Sequence, residues 1–225
     1  MRVTGPCTTA EMLWEWALAE WESSRFGSWY PNAPEAVERL RSGAPYDHAQ
    51  IFDQRIASTV ATVHNLLLKD VLPARLRWRR VLLAPDELAP LRILNLPEFR
   101  TLLPHSAVLG DMVALLESNP APLRDIPLLR AYHEVRDSFD PALIRGAPIL
   151  LAEHEEGPFH IMEGHRRLAS TLAQFSDGRR TPHEVAAILG IWPGLKAWPY
   201  YHDVDAPFRP VKPQPRPEPE TQPLK

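Results

Sequence analysis

Cysteine is almost absent from this 225-residue chain, with Cys7 as its single instance. One thiol excludes an internal disulfide framework and fits a reducing compartment. Positive charge is not in excess either: 25 Lys and Arg face 28 Asp and Glu, for a formal net charge of −3. No global basic field therefore draws the chain to nucleic acid or to an anionic membrane. No run approaches the ~20 apolar residues of a membrane span. The N-terminus lacks the basic and apolar segments of a signal peptide. The expectation is a soluble cytoplasmic protein, either one large domain or a domain with a helical appendage.

Proline, by contrast, is plentiful at 25 residues. From Ala206 onward Pro207, Pro210, Pro213, Pro215, Pro217, Pro219 and Pro223 crowd a charged stretch. That stretch cannot build a core, so 206–225 is expected to be an extended or disordered tail. Asn119-Pro120-Ala121-Pro122 breaks the chain earlier. The expected division is a mainly helical region over 1–120, a second domain over 121–205, and the tail.

In the first region, Thr8 with Glu11 three residues later has the pattern of a capping box. Met12, Leu13, Trp16, Ala17 and Trp21 follow at helical spacing and predict a helix over 9–24, with its tryptophans on the core side. Residues 26–32 read as a loop, Pro34–Arg41 as a short helix, and Asp47–Lys69 as a long one carrying Ile51, Ile56, Val60, Val63 and Leu67. The amino-terminal third looks all-helical. Arg75, Arg77, Arg79 and Arg80 surround Trp78. They read either as a phosphate contact with stacking or as solvated arginines on a strand leading into Val81-Leu82-Leu83, and the strand is favoured. Pro85–Leu88 predicts a short helix, Asn95–Phe99 a loop and helix start, and Ala107–Glu117 an amphipathic helix.

The chemistry gathers in the second region. Ala147–Ala152 and Phe159–Met162 predict a hairpin around the charged turn Glu153-His154-Glu155-Glu156-Gly157. Alternation sets His160 and Met162 opposite Phe159 and Ile161. Glu163-Gly164-His165-Arg166-Arg167 then follows without a spacer, and a helical pattern begins through Leu168, Leu172 and Phe175. A strand turning through a glycine into a helix presents free N–H groups where anions are favoured. Arg166 and Arg167 add planar donors suited to phosphate or carboxylate. His165 ordinarily titrates near neutrality, and Glu163 is a carboxylate beside this positive potential. The reading is an anion site. The His154, His160 and His165 positions offer no pair at metal-ligand spacing, although a Mg²⁺ bridging phosphates through Glu163 needs few protein ligands. Further on, Thr181-Pro182-His183-Glu184 reads as a helix start, with the helix running to Gly190. That segment is also the first half of a helix-turn-helix, but Pro193, Gly194 and Pro199 interrupt a second helix. Leu195–Tyr201 reads as a last strand returning to the sheet.

Pro148-Ile149-Leu150-Leu151 and Phe159–Ala169 together resemble the ParB/sulfiredoxin superfamily, whose members carry a strand, a glycine–arginine turn and a helix to hold nucleotide phosphates. The resemblance covers about residues 125–205. Sulfiredoxins place a cysteine after the motif glycine, where this chain has His165. The partition-type CTP switches have Gly-Glu-Arg-Arg, which Gly164, Arg166 and Arg167 match and His165 does not. The free-amino-acid kinase branch has Asp-Gly-His-His-Arg, which Glu163, Gly164, His165 and Arg167 resemble, with Arg166 the departure. That branch also has an upstream Glu as general base, and Glu134, after His133, is the candidate here.

The resemblance implies an α+β fold, with a helical N-terminal region packed on a small mixed sheet. It implies a nucleotide (ATP, ADP or CTP) with Mg²⁺ as cofactor, and either phosphoryl transfer to a small-molecule acceptor or NTP hydrolysis. Gly164, His165, Arg166 and Arg167 would hold the phosphates. Glu163, His165 and Glu134 would act in catalysis, with Glu163 also on the metal. The alternative is a non-enzymatic nucleotide-gated or DNA/plasmid-partition-associated module. DNA is disfavoured by the acidic balance, a membrane is not expected, and a homodimer is left open.

Overall fold

The computed structural model describes residues 1–21, 60–61, 64–118 and 146–201. A five-stranded mixed sheet runs through it. Its strands are β1 (Arg2–Cys7), β2 (Arg77–Leu83), β3 (Ile149–Ala152), β4 (His160–Glu163) and β5 (Val185–Ile191). Their spatial order is β1-β2-β5-β3-β4; β3 and β5 are parallel and the other neighbours antiparallel. The helices are α1 (Thr9–Trp21), α2 (Asn65–Val71), α3 (Pro97–Leu102), α4 (Leu109–Ser118) and α5 (His165–Ser176), with short 3₁₀ turns at Pro85–Glu87 and Leu195–Ala197.

Alternation along the strands sorts the side chains into two cores, one on each face of the sheet. Trp78, Ile149, Leu151, Met162 and Ile188 pack with Met12, Trp14 and Trp16 of α1 and with Leu68 and Val71 of α2. Val81, Leu83, Leu150, Ile161 and Leu189 pack with α3, α4 and α5 through Phe99, Leu109, Met112 and Leu168. The expected hairpin is present as β3 and β4, with Ile161 and Met162 on opposite faces. The Thr8 capping box is also formed, with the Thr8 N–H donating to Glu11 Oε2 (2.7 Å) and the Glu11 N–H to Thr8 Oγ1 (3.1 Å).

Three local expectations are corrected. The amino-terminal third is not all-helical: it contains β1, which pairs with β2, and β2 pairs in turn with β5, so strands from both sides of the expected 120/121 boundary share one sheet. The boundary itself lies outside the described residues. Val185–Ile191 is a central strand and not a helix, which also removes the helix-turn-helix reading. A strand bonded on both sides and covered on both faces is a continuous apolar run, and its period does not separate it from a buried helix. Its Gly190 is no helix cap. A Cβ there would lie 2.5 Å from Trp78 Cζ3 and 2.9 Å from Leu151 Cδ2, so the missing side chain makes room for the indole. Lastly, Leu195–Tyr201 does not return to the sheet; it makes a 3₁₀ turn that buries Leu195, Trp198 and Tyr200.

The predicted loop at 26–32, the Pro34–Arg41 helix, most of the Asp47–Lys69 helix, the tail, and Glu134 with its surroundings lie outside the described residues. Of the long helix, residues 60–61 and those from 64 are described; 60–61 are helical, and the helix from Asn65 ends at Val71. Among the described residues, no helix is long and apolar enough to cross a membrane.

Candidate functional site

The corner between β4 and α5 is set by Gly164, which has φ +97° and stands at the N-cap of α5 with no side-chain cap. L-residues avoid that backbone region. A Cβ would also lie 2.9 Å from Pro148 Cβ and 3.3 Å from Arg167 Nη2. The chain can turn here only with glycine, and Pro148 forms the wall behind it. The Gly164 carbonyl accepts the first helical bond, from the Leu168 N–H at 2.9 Å. The N–H groups before Leu168 are those a helix leaves without internal partners.

The two motif arginines part company at this point. Arg167 turns inward, where one Nη donates to the Gly146 carbonyl and the other pairs with the Glu163 carboxylate. Both side chains of the ion pair are mostly covered, at 13% and 14% exposure. Arg166 is half-buried and makes no ion pair or hydrogen bond among the described residues. Arg167 is therefore held against a carboxylate, while Arg166 has no such bond among the described residues.

His165 behaves differently from an exposed imidazole. Its Nε2 accepts the Leu94 N–H at 3.4 Å, and its ring lies 4.7 Å from that of Phe99, centroid to centroid. Burial, with Arg166 adding repulsion, pushes its pKa down to about 3. The ring is therefore neutral at physiological pH, not titrating as an exposed histidine would. With Nε2 as acceptor, the remaining proton sits on Nδ1, which makes that nitrogen a neutral donor.

The segment opposite was visible in the sequence only as a loop and helix start. Asn95 is buried, its N–H donates to the Tyr200 carbonyl at 3.0 Å, and its Oδ1 accepts Arg100 Nε at 2.9 Å. Leu94 and Phe99 from this stretch are what His165 touches. No spacing rule links them to Gly164, since the contact is made by tertiary packing some seventy residues away in sequence.

The corner is supported from the other face of the sheet. Gly146 has φ +82°, and a Cβ there would meet the Glu15 carbonyl at 2.1 Å and the Ala19 nitrogen at 2.8 Å, so the loop lies directly on α1. Glu15 Oε2 accepts the Ala147 N–H at 2.9 Å, and its Oε1 accepts Arg80 Nη1 at 3.2 Å. Arg80 also donates to Glu11 at 3.1 Å. Burial works against its charge, but the bonds to Glu11 and Glu15 outweigh that and hold the guanidinium above its ordinary value. The arginine cluster thus divides: Arg80 faces α1, while Arg77 is exposed and pairs loosely with Glu155 at 3.9 Å.

The described residues contain no group of three or more His, Cys, Asp or Glu arranged to hold a metal. His160 is fully buried, with its ring tilted against that of Tyr201, centroids 4.6 Å apart. Burial pushes the Cys7 thiol up to about 12, so it is a core group and not a nucleophile. Comparison of the chain with protein-family models, with curated proteins and with solved structures finds no match.

Proposed function

We propose that this is a nucleotide-binding protein of ParB/sulfiredoxin type that holds phosphates at the Gly164 corner. The observation that carries the reading is an α5 N-terminus without a side-chain cap, followed within its first turn by Arg166, which has no bond among the described residues. Backbone N–H groups, a guanidinium and a neutral imidazole N–H are the donors a phosphate takes up. In this reading Gly164 allows close approach, Arg166 neutralises charge, His165 donates from Nδ1, and Arg167 fixes the corner from behind. Phosphoryl transfer or NTP hydrolysis is the proposed chemistry, and charge building on the phosphate would be met by Arg166. Mg²⁺ would come with the nucleotide, and Glu163, the one carboxylate of the motif, would hold it on releasing Arg167.

A second reading is favoured by one specific contact. Glu163 is already engaged by Arg167, which leaves no free carboxylate in the motif to act as base or metal ligand. A module that binds nucleotide as a gate, without turning it over, fits that arrangement.

Thermal shift with nucleoside di- and triphosphates, with and without Mg²⁺, tests the first step. A ligand-dependent rise in Tm that Arg166→Ala abolishes is the expected result, and no rise with any nucleotide sinks the reading. A phosphate-release assay on the same samples then separates the two alternatives, since the gate predicts binding without turnover.

A further inference from the structure

We infer that Glu15, on the tryptophan-rich helix and on the far face of the sheet, is a positioning residue for the anion corner; this rests on the phosphate reading above. Glu15 is buried, and both of its oxygens are used. One holds Arg80 of β2, and the other holds the Ala147 N–H in the loop that enters β3. The adjacent Gly146 carbonyl receives Arg167, and Pro148, next along, is the wall against which Gly164 turns. Residues 146–148 are thus a plate with α1 on one side and the corner on the other. The closeness of Gly146 to α1 leaves that plate no slack in the direction of the helix. A buried carboxylate bonded to a backbone N–H fixes both partners strongly, because the bond is charge-assisted and little screened.

The placement of Arg167, and through it of Glu163 and the first turn of α5, is therefore set partly by a carboxylate that touches none of them. Glu11 supplies a natural control. It also accepts from Arg80, but among the described residues it makes no hydrogen bond or ion pair with residues 146–148, and its other bonds are to Thr8.

Backbone amide exchange followed by mass spectrometry on the full chain tests the inference without any ligand. Glu15→Gln is expected to speed exchange at least tenfold in peptides covering 146–151 and 163–168, and Glu11→Gln to leave both as in the wild type. Unchanged exchange over 163–168 in Glu15→Gln, or equal acceleration in the two variants, overturns it. If Glu15→Gln fails to fold, Glu15→Asp replaces it. That variant keeps a charge for Arg80 while drawing the carboxylate back from Ala147, and the same acceleration is expected. Pyrophosphate titration of the same proteins addresses the underlying reading separately. Wild-type binding weakened about tenfold by Glu15→Gln and unaltered by Glu11→Gln supports both. A wild type that takes up neither pyrophosphate nor nucleotide retires the phosphate reading, while the exchange result still decides whether Glu15 positions the corner.

Discussion

Arg167 and Glu163, four positions apart and on either side of the Gly164 turn, form an ion pair directed into the protein. The second donor of the same guanidinium reaches the Gly146 carbonyl, so one side chain ties together the end of β4, the start of α5 and the loop before β3. Removing one partner of such a covered pair leaves the other without compensation, and that loss exceeds the net worth of the bond. Arg167→Ala is expected to destabilise the fold by roughly 2–4 kcal/mol. Glu163→Gln should cost less, since the amide oxygen still accepts from the arginine. Urea denaturation of the three proteins at pH 7 gives the comparison; an Arg167→Ala midpoint equal to wild type would show that the pair contributes nothing.

Arg166 predicts the opposite profile. With no partner among the described residues, its truncation removes no internal bond. Arg166→Ala should change stability by less than about 0.5 kcal/mol, yet weaken nucleotide binding by about 10-fold or more, the worth of one charge-assisted phosphate contact. Calorimetric titration beside a urea curve separates the two effects. Equal loss of stability and affinity would place Arg166 with Arg167 as a packing residue.

His165 gives the fold a definite response to acid. Below pH 6.5 an unfolded histidine takes up a proton that the folded chain refuses until about pH 3. The unfolded state then binds more protons, so stability rises with pH across that window and is lost on acidification through it. The slope from this one group is up to about 1.4 kcal/mol per pH unit. His165→Gln should flatten the dependence of the urea midpoint between pH 6.5 and 4.5. An unchanged slope in the variant would assign the acid sensitivity to other groups.

The hairpin, the capped first helix, the amphipathic α4 and the glycine corner were legible because each is signalled locally, by period, turn residues or cap. The misread strands differ in cause. Thr181-Pro182-His183-Glu184 has every local mark of a helix start, yet the apolar run after it is claimed by β2 on one side and β3 on the other. Local preference of a few tenths of a kcal/mol per residue does not outweigh two ladders and two covered faces. β1 is not legible because Arg2–Pro6 belongs to an edge strand with mostly exposed side chains and no alternating pattern. In the site, residue types were readable but directions were not. Nothing in Arg166-Arg167 says which guanidinium turns toward Gly146, because that depends on a loop reached through tertiary packing.

Gly190 offers a direct test of the strand that replaced the predicted helix. If it closed a helix, its backbone would need a left-handed φ, and Asn would substitute better than Ala. As a strand residue bonded opposite Trp78, it owes its identity to the indole that fills its place. A Cβ 2.5 Å from Trp78 Cζ3 forces that ring, or Leu151 and Leu76 at 2.9 Å, to move. Overpacking of this kind costs roughly 1–3 kcal/mol. Gly190→Ala should therefore lower the urea midpoint and shift the tryptophan near-ultraviolet signal, and Gly190→Asn should be worse. Trp78→Leu, itself destabilising through the cavity it leaves, should lose less when combined with Gly190→Ala than the sum of the two single changes. Strict additivity in that double-mutant cycle would mean the two positions are not in contact, and the strand assignment of Val185–Ile191 would fall with it.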